Sequence, residues 1–189
     1  MVGEVRISFA VYVGLLILVA FQRLAELRLS RRHCRAATAA GAIEYGARHY
    51  PWMVLLHSSF LLACGLEVWI LERPFVPQLA VVMAVVLLIA TGLRYWAIRA
   101  LGSRWTTRVF AWPDRPLVRS GPYRYLRHPN YVAVALEILA LPLLHSAWIA
   151  AIVFGVLNII LLSIRITAEE EALSRAPSAV STGEGRLSP

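Results

Sequence analysis

Apolar residues in this chain do not alternate with polar ones as in a strand, nor recur in the narrow stripe of a soluble helix. They form long blocks, running from Ile7 to Leu27, Trp52 to Leu71, Gln78 to Arg99 and Tyr131 to Ile164. Each of the first three approaches the about 20 residues that a helix needs to cross about 30 Å of hydrocarbon. The fourth is too long for one crossing. Pro142, with His145 and Ser146 just beyond it, divides it into two shorter helices. Their arms enter and leave on the same side as a tight hairpin. The pattern predicts an all-α, polytopic membrane helix bundle of about five transmembrane helices, the last two forming a helical hairpin. Residues 1–100 make a three-span N-terminal region and 101–173 carry the hairpin. Residues 174–189, rich in Ser, Gly, Ala and Pro, form a disordered tail.

Composition supports a membrane protein of one domain. The 189 residues are 59% hydrophobic and 16% charged, against about a quarter charged in soluble domains. Mean hydropathy is +0.64. The first block lacks a small-residue cleavage site and runs on into FQRLAELRLSRR, so it reads as a retained span and not a signal peptide. Two cysteines, Cys34 and Cys64, make no disulfide framework and show no metal-ligand spacing. The end, GRLSP, carries no prenylation box.

Charge then orients the spans. The net charge is +8, and all 19 basic residues are arginine. Arg28, Arg31, Arg32, Arg35 and Arg48 fall in the loop after the first span, and Arg104, Arg108, Arg115, Arg119, Arg124 and Arg127 after the third. The ERPFVP link between the second and third spans is nearly neutral. By the positive-inside rule both basic loops are cytoplasmic, the N-terminus lies outside and the C-terminus inside. Basic charge without a nucleic-acid module points to the membrane surface and not to DNA or RNA. No GxGxxG after a strand, GxxxxGK[ST], HExxH or paired CxxC is present.

Candidate chemistry collects in two polar patches, RVFAWPDRPLVRSGPYRYLRHPNY (108–131) and RITAEEEAL (165–173). A hairpin brings them together, because its arms begin and end at one interface. Pro129 suits the first turn of a helix, whose free N–H groups and dipole favour an anion. Arg127 has the fork geometry to hold a carboxylate or phosphate. Arg165 and Glu169 are four apart on one helix face, one cationic and one anionic contact for a ligand bearing both charges. Plainer readings compete. Arg119, Arg124 and Arg127 also suit interfacial anchors, His128-Pro129 a helix start, and Glu169 to Glu171 a solvated helix end. Glu137 lies at membrane depth, where a carboxylate is costly. It stands as a substrate contact, a protonated acid or a partner of Arg94. His57 and Asn158 suit interhelical hydrogen bonds. Trp96, Trp105, Trp112 and Trp148 suit the interfacial belt.

LVRSGPYRYLRHPNY, followed about forty residues later by RITAEEEAL, resembles the isoprenylcysteine carboxyl methyltransferase family of integral-membrane enzymes. The resemblance covers roughly Leu101 to Leu173. The RHPNY run alone is less specific, since similar runs occur in membrane sterol reductases and phospholipid methyltransferases. The resemblance implies S-adenosyl-L-methionine as cofactor, in a cytoplasmic site of a bacterial cell membrane. Arg115, Pro116, Leu117 and Val118 match a stretch that lines the cofactor. Tyr123, His128, Pro129, Asn130 and Tyr131 match further cofactor contacts, and Glu169 an acidic one. Arg165 matches a substrate-binding arginine, and Arg108 matches a cofactor contact, at a position where an animal member has glutamine. Two features depart from the family pattern: the aromatic, Gly-Tyr-containing tail is missing, and the Arg-rich first loop has no counterpart. Short bacterial relatives include enzymes that methylate alkylpyrones and other lipophilic hydroxy compounds.

The implied reaction moves a methyl group to an oxygen, carboxylate or hydroxyl, of a lipophilic small molecule taken from the bilayer. An anion and a sulfonium become two neutral products, so a desolvated pocket favours the transition state over separated charges. Arg165 orients the oxyanion, Glu169 meets the cofactor ammonium, and Arg127 steadies the substrate or the pocket wall. With a hydroxyl acceptor, His128 or Glu170 is a candidate base. No metal is implied. The alternatives are a membrane reductase using NADPH and a non-catalytic membrane protein.

Overall fold

A computed structural model of the chain describes residues 2–112 and 117–175, with the side chains of 2–6, 49 and 173–175 outside that description. Its elements in chain order are α1 (Val2–Ala39), β1 (Ile43–Tyr45), α2 (Tyr50–Ile70), α3 (Pro77–Leu101), β2 (Val109–Ala111), α4 (Pro129–Leu143) and α5 (Trp148–Arg175). The result is a helical membrane bundle. α1, α2, α3 and α5 are long and apolar enough to cross a bilayer, whereas α4 is a shorter apolar helix. The expected tail beyond Arg175 lies outside the described residues.

The helices hold their apolar side chains outward, as lipid-facing helices do. Val11, Leu62, Leu88 and Ile152 are each more than 60% exposed. Small residues fill the inside, where Ala90, Ala97, Ala133, Ala140 and Cys64 let the backbones approach. α4 is the central helix, with nine of its 15 residues buried, and it packs against α3 and α5. Pro142 stands near its C-terminal end, and Ser146 turns the chain at φ 55° into α5. This is the expected hairpin.

The hairpin tip reaches the end of the bundle where α1 starts and α2 joins α3. There His145 Nε2 lies 3.3 Å from Ser8 Oγ, and its ring packs against Tyr12 and Phe75. Glu67 of α2 accepts the free N–H groups of Ile149 and Ala150 at 3.1 and 2.6 Å and pairs with Arg73 at 2.8 Å. One carboxylate thereby caps the first turn of another helix and neutralises an arginine.

Three details differ from the sequence reading. The Arg-rich stretch after the first apolar block is not a loop. α1 continues for 38 residues, about 57 Å at 1.5 Å per residue, because Leu, Ala, Glu and Arg sustain a helix after the hydropathy has ended. A two-stranded antiparallel sheet, Glu44 opposite Phe110, joins the segments after α1 and α3. Strands of three residues are too short to show a period. Trp105 is buried at 3% exposure, not interfacial, since its carbonyl holds His33 Nδ1 at 2.7 Å against α1.

A buried ion cluster ties α1, α3 and α4 together. Glu137 accepts Arg94 Nε at 3.0 Å and Arg23 Nη2 at 2.8 Å, and a second N–H of Arg94. Arg23 also reaches Glu26 at 2.6 Å, and Arg94 lies 3.7 Å from the same carboxylate. Two cations and two anions cancel. His57 bonds its own helix at the Met53 carbonyl, 2.8 Å away, and Asn158 is buried at 2% exposure.

Candidate functional site

At the other end of the bundle the start of α4 meets the last turns of α5. Gly121 sets the approach. Its φ is +60°, and a Cβ there would stand 2.9 Å from the Cβ of Ala100 on α3. Glycine therefore lets the 3-10 turn Gly121–Arg124 lie on α3. Four residues beyond that turn, His128 stands at the N-cap of α4 and Pro129 opens the helix.

Tyr131 is the hub. Arg165 Nε donates to its hydroxyl at 2.8 Å, and the hydroxyl donates in turn to Glu169. The His128 ring stacks on the Tyr131 ring, centroids 5.3 Å apart and planes 14° apart. His128 Nδ1 lies 3.7 Å from Glu169, and Nε2 3.9 Å from Glu170. Residues 128–131 and 165–170 thus form one cluster. Tyr123 belongs beside it. Burial, together with the Glu169 carboxylate, raises its pKa above that of an ordinary phenol, so it stays a neutral donor. The amide oxygen of Asn130 is buried and has no hydrogen-bond partner among the described residues.

Arg165 is buried at 9% exposure. Besides Tyr131, it directs Nη1 to the Sδ of Met53 at 2.7 Å, a weak acceptor. Among the described residues it pairs with no carboxylate. On this side of Arg165 a small cavity of about 10 Å³ is lined by Glu44, Tyr50, Met53, Leu161, Arg165 and Arg108. Arg108 reaches both oxygens of Glu44, at 2.9 and 3.1 Å, and its guanidinium lies 4.7 Å over the Tyr50 ring. Leu161 also lines an apolar groove of about 300 Å³ between α2 and α5, walled by Trp52, Leu55, Phe154, Leu157 and Ile160. The groove's lining is apolar except for Ser59.

The other expected residues lie apart. Arg127 is 87% exposed and comes only within 3.8 Å of Glu170. Glu137 has both oxygens taken by guanidinia in the buried cluster and lines neither cavity. Leu117 is exposed and Val118 half-buried on the segment leading to Gly121. Arg115 and Pro116 lie outside the described residues. Arg108 lines the cavity beside Arg165, together with Tyr50 and Met53 of α2. Sequence reading missed Glu44, Tyr50 and Met53. Only Tyr50-Pro51, a helix-start signal, hinted that α2 begins at this interface.

Fold and site together define a polytopic α-helical membrane protein with a charged cluster at one membrane face and an apolar groove beside it. The isoprenylcysteine carboxyl methyltransferase (ICMT) family matches the chain over residues 81–175, a stretch that holds α4, α5 and the whole Tyr131 cluster. The chain belongs to that family. It is also similar to the uncharacterized protein YpbQ of Bacillus subtilis (strain 168), 38% identical over 159 residues, which cover 84% of this chain and 94% of YpbQ. An uncharacterized protein of Haemophilus influenzae is 31% identical over 153 residues, 80% of this chain and 88% of that protein. Alignments of this length extend well upstream of residue 81, into the helices before the family match.

Proposed function

We propose that this protein is an S-adenosylmethionine-dependent O-methyltransferase of the membrane, and that its acceptor is a lipophilic molecule bearing an ionisable oxygen. Membership of the ICMT family supports methyl transfer, and the long apolar helices support work at the bilayer. The observation that carries the finer reading is Arg165. A buried guanidinium that ends on a thioether lacks a compensating anion, and a buried unpaired charge is costly. An acceptor carboxylate or enolate in the adjacent cavity offsets that cost.

The residues on the other side of Tyr131 fit the cofactor. Glu169 offers a carboxylate to an ammonium, and Tyr123 a neutral phenol. The unpartnered amide oxygen of Asn130 suits the polar edge of a nucleoside. S-adenosylmethionine, when bound, supplies a methyl group on a sulfonium. The protein's own part is to position and to dry. Arg165 orients the acceptor oxygen, with its guanidinium plane fixed by Tyr131 and Met53. Tyr131 separates Arg165 from Glu169, so that neither neutralises the other. The apolar walls of α2 and α5 exclude water, which favours a reaction in which opposite charges vanish. A carboxylate acceptor needs no base at neutral pH. For a hydroxyl acceptor, His128 or Glu170 stands ready to take the proton. Arginine excess on the loops near this face supports an active site on the cytoplasmic side of a bacterial cell membrane.

The test is transfer of labelled methyl from S-adenosylmethionine into a lipid extract by the purified protein. Label in an ester or ether of a lipid-soluble product is expected. Label on nitrogen, or none above a heat-treated control, contradicts the reading.

A further inference from the structure

The strand pair β1–β2 has no part in the cluster around Tyr131, yet it closes the cavity against Arg165. We infer that it gates the acceptor's head group: Arg108 is a second guanidinium for an anionic head, and Glu44 competes with that head for it. The inference rests on the reading of the Arg165 cavity as the site of the acceptor's oxygen.

Two guanidinia and one carboxylate line this cavity, so it carries an excess of positive charge and favours an anion. Arg108 is committed to Glu44 through one nitrogen and to the Tyr50 face through its plane. The pair is solvent-exposed, at 40% and 27% of the two side chains, and an ion pair so exposed holds weakly. With the pair in place the cavity is about 10 Å³, room for about one water. A head group enters only if Glu44 yields Arg108. The strands can give way at small cost, since each has three residues and an isolated two-stranded pair is marginal.

The occupant this geometry fits is a single-chain amphiphile with an anionic head. Its head lies between Arg165 and Arg108. Its tail runs along the groove from Leu161 toward Phe154, eleven residues back from Arg165 on α5 and about 16 Å along the helix axis. Charge argues for the anion, because a neutral head gains nothing from Arg108 and leaves Glu44 in place. Glu44 and Arg108 are then specificity-determining residues, acting before any chemistry.

The experiment uses the full chain in a neutral detergent and reads Trp52, which lines the groove at 65% exposure. A fatty acid brominated at mid-chain and the matching brominated alcohol serve as quenchers, with Trp52→Phe as the blank. Glu44→Gln is expected to tighten the acid several-fold and leave the alcohol unchanged. Arg108→Gln is expected to weaken the acid about tenfold, as loss of a charge-assisted hydrogen bond implies. In the double variant the gain from Glu44→Gln disappears. Glu44→Asp, which keeps the charge, stays near wild type. The proposal is overturned if Glu44→Gln moves acid and alcohol equally or moves neither. It is equally overturned if Trp52 is quenched by neither probe in the wild type. No methyl transfer is needed for this readout, so it can succeed where the methyltransferase reading fails, and the reverse.

Discussion

Arg165 and Tyr131, 34 residues apart in sequence, are joined by a single hydrogen bond, from Nε of the guanidinium to the phenol oxygen at 2.8 Å. The phenol passes its own proton toward Glu169. A cation and an anion one turn apart on α5 are thus held on opposite sides of a residue from the start of α4. Had they paired directly, neither charge would face a ligand. The Tyr131 hydroxyl keeps both available.

Tyr131→Phe should therefore cost more than one hydrogen bond. It leaves the buried Nε–H of Arg165 unsatisfied, about 1–3 kcal/mol, and lets Arg165 collapse onto Glu169. We expect a lowered melting temperature in detergent together with a loss of turnover. Arg165→Ala and Glu169→Ala should abolish turnover while the circular dichroism of the folded bundle is retained. Near-full activity in either variant would show that the roles given to these residues are wrong.

The ion cluster in the bundle makes a different prediction. Glu137→Ala leaves Arg94 and Arg23 with Glu26 as their one carboxylate in the cluster, and removing one member of a buried pair costs about 3–5 kcal/mol. Thermal unfolding in detergent should show the loss. Arg127→Ala, at a side chain that is 87% exposed, should leave the melting temperature where it is. Equal effects of the two substitutions would contradict the burial assigned to Glu137.

Gly121 tests the positioning of the start of α4. An alanine there must adopt φ +60° and push its Cβ to 2.9 Å from that of Ala100. Backbone strain of this kind costs about 1–3 kcal/mol, and the 3-10 turn carrying Tyr123 must shift. Gly121→Ala should weaken S-adenosylhomocysteine binding in calorimetry more than Gly92→Ala, whose added methyl meets nothing within 4 Å.

Much of the fold was legible because the bilayer imposes a coarse rule. Blocks of about 20 apolar residues must be helices, and Pro142 with Ser146 marks the one interruption in the last block. The rule fails where the membrane ends. Arg28, Arg31, Arg32 and Arg35 resemble a basic loop by charge, yet they continue α1, because helix propensity is indifferent to hydropathy. The site was legible in part. RHPNY and RITAEEEAL each mark one wall, and the hairpin implies that they meet. The third wall was not legible: Glu44, Tyr50 and Met53 come from the segment after α1 and the start of α2, and only tertiary packing brings them to Arg165. Arg108 shows the same limit. The resemblance suggested a cofactor contact, whereas the Arg108 side chain forms an ion pair with Glu44 and lines the cavity beside Arg165.

The central claim is that the Tyr131 cluster binds the adenosyl cofactor through Glu169. Titration calorimetry of S-adenosylhomocysteine into the detergent-solubilised protein measures this directly. The account predicts saturable binding to the wild type, its loss in Glu169→Ala, and no binding of NADPH. A wild type that ignores S-adenosylhomocysteine, or a Glu169→Ala variant that binds it as tightly, would contradict it.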